Sequence, residues 1–321
     1  RFGLEKPGLP LARLIPIPLK GRDFRQREHL APAIAANRGR GTTMRKDRRV
    51  LRICRETLKV LENTPADAAA AAPVRTEACT IALETATGPM VRSRLHASRA
   101  RAQFAQDHYE EAARDFTTAR ELHPAGAAAL SGELVQALNR LGNSRFSNGD
   151  REGAITAFST AIRADPRGTV ALRNRGRAQA TLGRMALAEA DFNEAIRVEP
   201  LPVNYLARSD FWLHVQNYER ALEDSRTAVV SDPSNIEAII DIGEALRNLN
   251  RIDEAIEHYT QAIERFPRTS AIYNDRGRSH NRAGRRDAAL ADYNRALEID
   301  PNYFDSLHNR AIELYFINDH S

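Results

Sequence analysis

The sequence predicts an all-α fold, an α–α superhelix in which antiparallel helix pairs stack as a solenoid of 34-residue repeats. Three observations lead there. Prolines at 124, 166, 200, 233, 267 and 301 stand 42, 34, 33, 34 and 34 residues apart. Alanine occupies the place twelve residues before each one (Ala112, Ala154, Ala188, Ala221, Ala255, Ala289) and the place five before (Ala119, Ala161, Ala195, Ala228, Ala262, Ala296). Twenty-four before stand only small residues, Ala100, Gly142, Gly176, Ser209, Gly243 and Gly277. Self-similarity at a fixed period of this size is the signature of a solenoid, in which each unit covers its neighbour's apolar face.

Composition agrees. Over 321 residues, 42 % are hydrophobic and 28 % charged, near the globular average, which excludes a wholly disordered chain. Aromatics are 6 % with one Trp, too few for a large all-β core. Two cysteines cannot frame a disulfide scaffold, and no window is apolar for the eighteen or so residues of a membrane-spanning helix. Charge is uneven: residues 1–52 hold 14 Lys+Arg against 4 Asp+Glu, while the remainder is mildly acidic.

In order along the chain, residues 1–45 form a basic leader whose Pro7, Pro10, Pro16 and Pro18 favour extended backbone. Residues 46–92 read as a degenerate helical pair capping the array. Val50, Leu51, Cys54, Leu58 and Leu61 mark an amphipathic helix; the alanines of 68–72 make a linker or frayed turn ended by Pro73, and a second helix runs from about Val74 to Thr85. Six units follow at 93–126, 135–168, 169–201, 202–235, 236–269 and 270–303. Within each, the small residue and the alanines lie where two helices approach, and the residue eight before the proline (Phe116, Phe158, Phe192, Ser225, Tyr259, Tyr293) fills space toward the adjacent repeat. Turns such as Asn148-Gly149-Asp150 separate the helices. Eight extra residues, 127–134, place Leu130, Leu134, Leu138 and Leu141 at helical steps and lengthen the next first helix by about two turns. Residues 304–321 form a half-unit or capping helix, apolar enough to suit either a truncated array or an end that docks on another chain.

The segments GDREGAITAFSTAIRADP (149–166), NLNRIDEAIEHYTQAIERFP (248–267) and RAGRRDAALADYNRALEIDP (282–301) resemble the tetratricopeptide repeat family over roughly 93–318. Departures are Arg at the usual Leu seventh position (Arg175, Arg208, Arg276) and Ser225 in place of an aromatic, which puts the packing of unit four in question. The resemblance implies a concave groove lined by first helices. Its lining would be Arg94, Arg101, Asn139, Arg140, Asn143, Arg173, Asn174 and Arg177 in units one to three, then Glu237, Asp241, Glu244 and Arg247. In unit six it would be Asn274, Asp275, Arg278, Asn281 and Arg282. Arginine forks and amides suit an extended acidic peptide or a chain terminus. Asn143 and Asn174 match the asparagines of the family's two-carboxylate clamp, but Asn139, Val203 and Ala207 stand where it needs cations. The segment EACTIAL (77–83) also resembles stretches preceding such repeats in exported bacterial proteins, where Cys54 and Cys79 could pair; two buried thiols are the alternative.

No zinc-binding His pair, phosphate loop, GxSxG elbow or CxxC occurs, so neither a catalytic site nor a cofactor or metal is expected. Glu110, Glu111 and Asp115, like Asp253, Glu254 and Glu257, read as solvated helix faces. The leading reading is a cytoplasmic, non-catalytic scaffold for proteins or peptides, with the periplasm as the other compartment. Behind it stand the regulatory repeat domain of a larger enzyme, and nucleic-acid association through the basic leader.

Overall fold

The computed structural model describes residues 68–318, and the described residues form fourteen α-helices. Helix α1 (Ala68–Thr85) precedes six antiparallel pairs: α2 (Pro89–Phe104) with α3 (Tyr109–Leu122), α4 (Ala127–Ser147) with α5 (Arg151–Ala164), and α6 (Thr169–Thr181) with α7 (Met185–Val198). Then come α8 (Pro202–His214) with α9 (Tyr218–Ser231), α10 (Ile236–Asn248) with α11 (Ile252–Arg265), and α12 (Ser270–Arg282) with α13 (Arg286–Ile299). Helix α14 (Phe304–Asn318) is the last of the described helices. The leader, the helix expected around Val50–Leu61, and Cys54 lie outside the described residues. Cys79 is buried, and burial pushes its thiol up to about 11.

All twelve periodic alanines are buried. The aromatic between them packs over the small residue of its own unit's first helix and also reaches the next repeat, as where the rings of Phe192 and Phe211 lie 5.4 Å apart. A Cβ added to Gly176 would lie 3.0 Å from Phe192, and one on Gly277 would lie 2.7 Å from Tyr293. Gly142 under Phe158 and Gly243 under Tyr259 are tighter still. The aromatic needs the room a missing side chain leaves, so the two positions form one contact sixteen residues apart. Unit four resolves its departure by changing both partners: Ser209 and Ser225, fully buried, share a hydrogen bond of 2.6 Å. Phe211 and Trp212 fill the adjoining core.

Each first helix of the six pairs ends on a left-handed residue: Asp107, Gly149, Gly183, Gln216, Asn250 and Gly284. The amide of the following residue bonds back five residues, as in His108 to Gln103 and Arg285 to His280, which satisfies the orphan carbonyls of the helix end. The extra residues before unit two do extend its first helix, since α4 runs 21 residues against 13 for α6. Pro73 ends nothing: α1 passes through it from Ala68.

Filling the Gly243 gap tests the core contact. Gly243→Val should lower stability by about 1–3 kcal/mol, the usual cost of overpacking, read as an earlier urea midpoint.

Candidate binding face

First helices lie side by side, so polar side chains about 32 residues apart meet along one face. Arg101 grips Glu133 through two bonds of 2.7 and 3.0 Å. The Asn174 amide donates to Asn143 at 3.2 Å, and Arg177 pairs with Asp210 at 3.1 Å. Arg173 donates to Asn204 and Thr169, and its pKa is lowered by burial first and then by Arg177. Arg140 and Arg278 are exposed, and Glu244 is half-buried. Asn139 keeps its carbonyl oxygen buried with no partner among the described residues. Arg278 reaches Asp275 at 2.8 Å, while the buried Arg247 stands 3.7 Å from the same carboxylate. Of the arginines expected on this face, Arg101, Arg173 and Arg177 already have partners, which the residue pattern alone did not show.

Asp241 departs from the expected solvent-facing acid. It is 6 % exposed, and one carboxylate oxygen has no hydrogen-bond partner among the described residues. Burial first and the Asp210 carboxylate second push it up to about 8, with Glu237 and Glu244 adding and Ser209 pulling back. At neutral pH this group is mostly protonated, so the acidic stretch of the face carries less charge than its formula.

Behind the face runs a set of charged forks that sequence reasoning missed. The seventh-position arginines are one half of them: Arg99, Arg175, Arg208 and Arg276 each hold the Asp sixteen residues on (Asp115, Asp191, Asp224, Asp292). Every fork has two bonds, between 2.6 and 2.9 Å. All four aspartates are buried, which corrects the solvated reading of Asp115. The remaining guanidinium nitrogen reaches the preceding second helix, at Thr80, Ser159, Asn193 or Thr260. Each fork thus ties together three helices across a unit boundary. Units two and five lack both members, having Leu141 with Ala157 and Ile242 with His258. That joint presence or absence was the signal available in the sequence.

Among the described residues no helix is long and apolar enough to cross a membrane, and no group of His, Cys, Asp or Glu is arranged to hold a metal. Residues 139–202 and 240–304 match the family model for the tetratricopeptide repeat. These are tetratricopeptide repeats. The array is similar to Hsp70-Hsp90 organizing protein 1 of Glycine max, 26 % identical over 133 residues, 41 % of this chain and 23 % of that protein. It is also similar to the Hsp70-Hsp90 organising protein of Plasmodium falciparum, 30 % identical over 138 residues, 42 % of this chain and 54 % of the relative. The chain thus spans between about a quarter and about half of these curated relatives. A crystal structure of a thermophilic TPR protein from Thermus thermophilus aligns with 56 % of this chain and 99 % of its own, at 24 % identity and a TM-score of 0.47.

Two outcomes follow from these buried groups. Asp224→Ala strands the Arg208 guanidinium and should cost about 3 kcal/mol, whereas adding Arg208→Leu should recover most of it, because replacing a buried pair is far cheaper than halving it; urea unfolding of both variants checks this. The Asp241 carboxyl has a folded pKa above its unfolded value, so the folded chain keeps a proton that the unfolded chain releases between 3.8 and about 8. Its contribution therefore falls through that window and levels off above it. Asp241→Asn should be more stable than the parent at pH 9, with the advantage vanishing toward pH 4, as unfolding curves at the two pH values will show.

Proposed function

We propose that the chain is a non-catalytic adaptor that holds an extended peptide, or an extended stretch of a partner protein, along its first-helix face. One observation carries this: guanidinium and amide groups recur on that face at the repeat spacing, several of them held in place by neighbours yet still exposed. Arg140, Asn143 and Arg177 are exposed, and Arg177 is steadied by Asp210. An acidic segment suits the stretch from Arg101 to Arg177, since carboxylates take guanidinium forks and free backbone groups take amides. The pairs already present do not block it, because an exposed ion pair is worth about 1 kcal/mol or less. The names of the curated relatives speak of organising Hsp70 and Hsp90, which supports a protein partner in general. A chaperone terminus held by the family clamp fits less well: of the positions that need cations, Ala207 is buried and Val203 is an exposed apolar residue.

Selection of displayed peptides on the full chain tests the proposal. Enriched peptides should carry Asp or Glu, and Arg140→Glu combined with Arg177→Glu should weaken their binding at least tenfold while flattening its salt dependence. Binding indifferent to both substitutions would overturn the assignment to this face. Arg173 is left out of the test because its bond to the buried Asn204 makes it part of the fold.

A further inference from the structure

Asp241 and Asp275 hold the same place in the repeat, on the first helices of units five and six, and are buried to the same depth, at 6 % and 5 % exposed. Each also feels an acid on the first helix before it, Asp210 in one case and Glu244 in the other. The rest of their surroundings differ. Arg278 donates to Asp275 at 2.8 Å, and the buried Arg247 stands 3.7 Å from the same oxygen. One repeat earlier, Glu244 occupies the position of Arg278, and Leu213 that of Arg247. Asp241 thus has the depth of a paired carboxylate and neither of the two cations. Its Oδ2 has no hydrogen-bond partner among the described residues.

Burying a carboxylate without a cation is costly. Asp275 offsets that cost with guanidinium groups of its own chain, whereas Asp241 does so by keeping a proton. The acids that act on Asp241 step outward to the surface: Asp210 and Glu244 are half-buried, and Glu237 is exposed. Asp210 holds one cation, Arg177, at 3.1 Å, but that guanidinium comes from unit three and is itself exposed. The stretch between α8 and α10 is therefore short of the positive charge that Arg278 and Arg247 supply between α10 and α12.

We infer that an arginine side chain of the bound extended segment enters between α8 and α10 and sets its guanidinium against Asp241 and Asp210, as Arg278 and Arg247 stand against Asp275. This deepens the peptide-binding reading of the face and rests on it. A guanidinium is planar and weakly hydrated, so it enters a half-buried site at less cost than an ammonium, and its forked donors can serve two carboxylates at once. A segment with acids opposite Arg140 and Arg177 and an arginine further along then matches the face at both places. One that is acidic throughout meets Asp210, Glu237 and Glu244 with like charge and is disfavoured.

The probe is the end-blocked pentapeptide Gly-Gly-Arg-Gly-Gly, with citrulline in place of arginine as its uncharged control. Titrated into the full chain with isotope-labelled aspartate carboxyls, the arginine peptide should shift the Asp241 and Asp210 resonances saturably. Citrulline should weaken binding about tenfold, the loss of one charge-assisted contact. Asp241→Asn keeps the side chain's shape and should weaken the arginine peptide as much, read at Asp210. Glu244→Arg supplies the missing cation from within the chain, so it should exclude the arginine peptide and raise the urea midpoint at neutral pH. The inference is overturned by a silent arginine peptide, by arginine and citrulline behaving alike, or by arginine binding that both substitutions leave intact. In those cases acidic peptides held by Arg140 and Arg177 would still bind, and the reading of the face would stand; if they too fail to bind the parent chain, both fall.

Discussion

In units two, three, five and six a glycine of the first helix lies under an aromatic ring of the second, and the rest of the molecule depends on that contact. A ring buried against a glycine fixes the distance between the paired helices and their rotation about each other, because neither partner can move without opening a void or a clash. Repeated down the chain, that contact delivers every first helix to the same side. Only then do residues 31 to 33 apart in sequence, such as Asn143 with Asn174 or Arg177 with Asp210, come within hydrogen-bond reach. Unit four shows that the geometry matters more than the residue types, since the Ser209–Ser225 hydrogen bond preserves the pairing with neither a glycine nor a ring.

The forks add something that apolar packing does not supply. A leucine against an alanine tolerates small slides along the helix axis, whereas two parallel bonds between a guanidinium and a carboxylate have essentially one arrangement. The net stability of such a buried pair is small compared with an apolar replacement, so its distinctive effect is on register. With a third bond to the preceding unit, Arg175, Arg208 and Arg276 each orient a unit boundary as well as a helix pair. The boundaries governed by Leu141 and Ile242 have no such fork.

The architecture was legible in the sequence because a solenoid writes its contacts at a constant interval: the alanines, the small residues and the turn glycines each announced themselves by recurrence. What stayed hidden depends on which neighbour a side chain meets. Phe158 could be placed in the core, and toward the adjacent repeat where Ala178 lies, but its fit over Gly142 of its own unit was not read. Asp115 resembled its exposed neighbours Glu110 and Glu111 until Arg99 was seen to fold over it. Pro73 marked a stop by the usual rule, but α1 continues through it. The arginines expected to line the groove lie on first helices, and their partners Glu133, Asn204 and Asp210 lie on the next first helix, beyond the reach of any local pattern.

Pre-paired arginines alter what binding costs. A long side chain free in water loses rotamer entropy when a ligand captures it; Arg177, already steadied by Asp210, has lost part of that freedom in the unbound chain. A peptide carboxylate that shares or displaces Asp210 exchanges one weak exposed pair for another and gains mainly from contacts made elsewhere along the face. Burial has the opposite effect at Asp241, which at neutral pH is mostly uncharged and so repels an acidic ligand less than its formula suggests. The two effects act in the same direction. They lower the electrostatic contrast along the face, so an acidic peptide of the kind proposed would meet a smaller reversal of charge past unit four than the formula charges give.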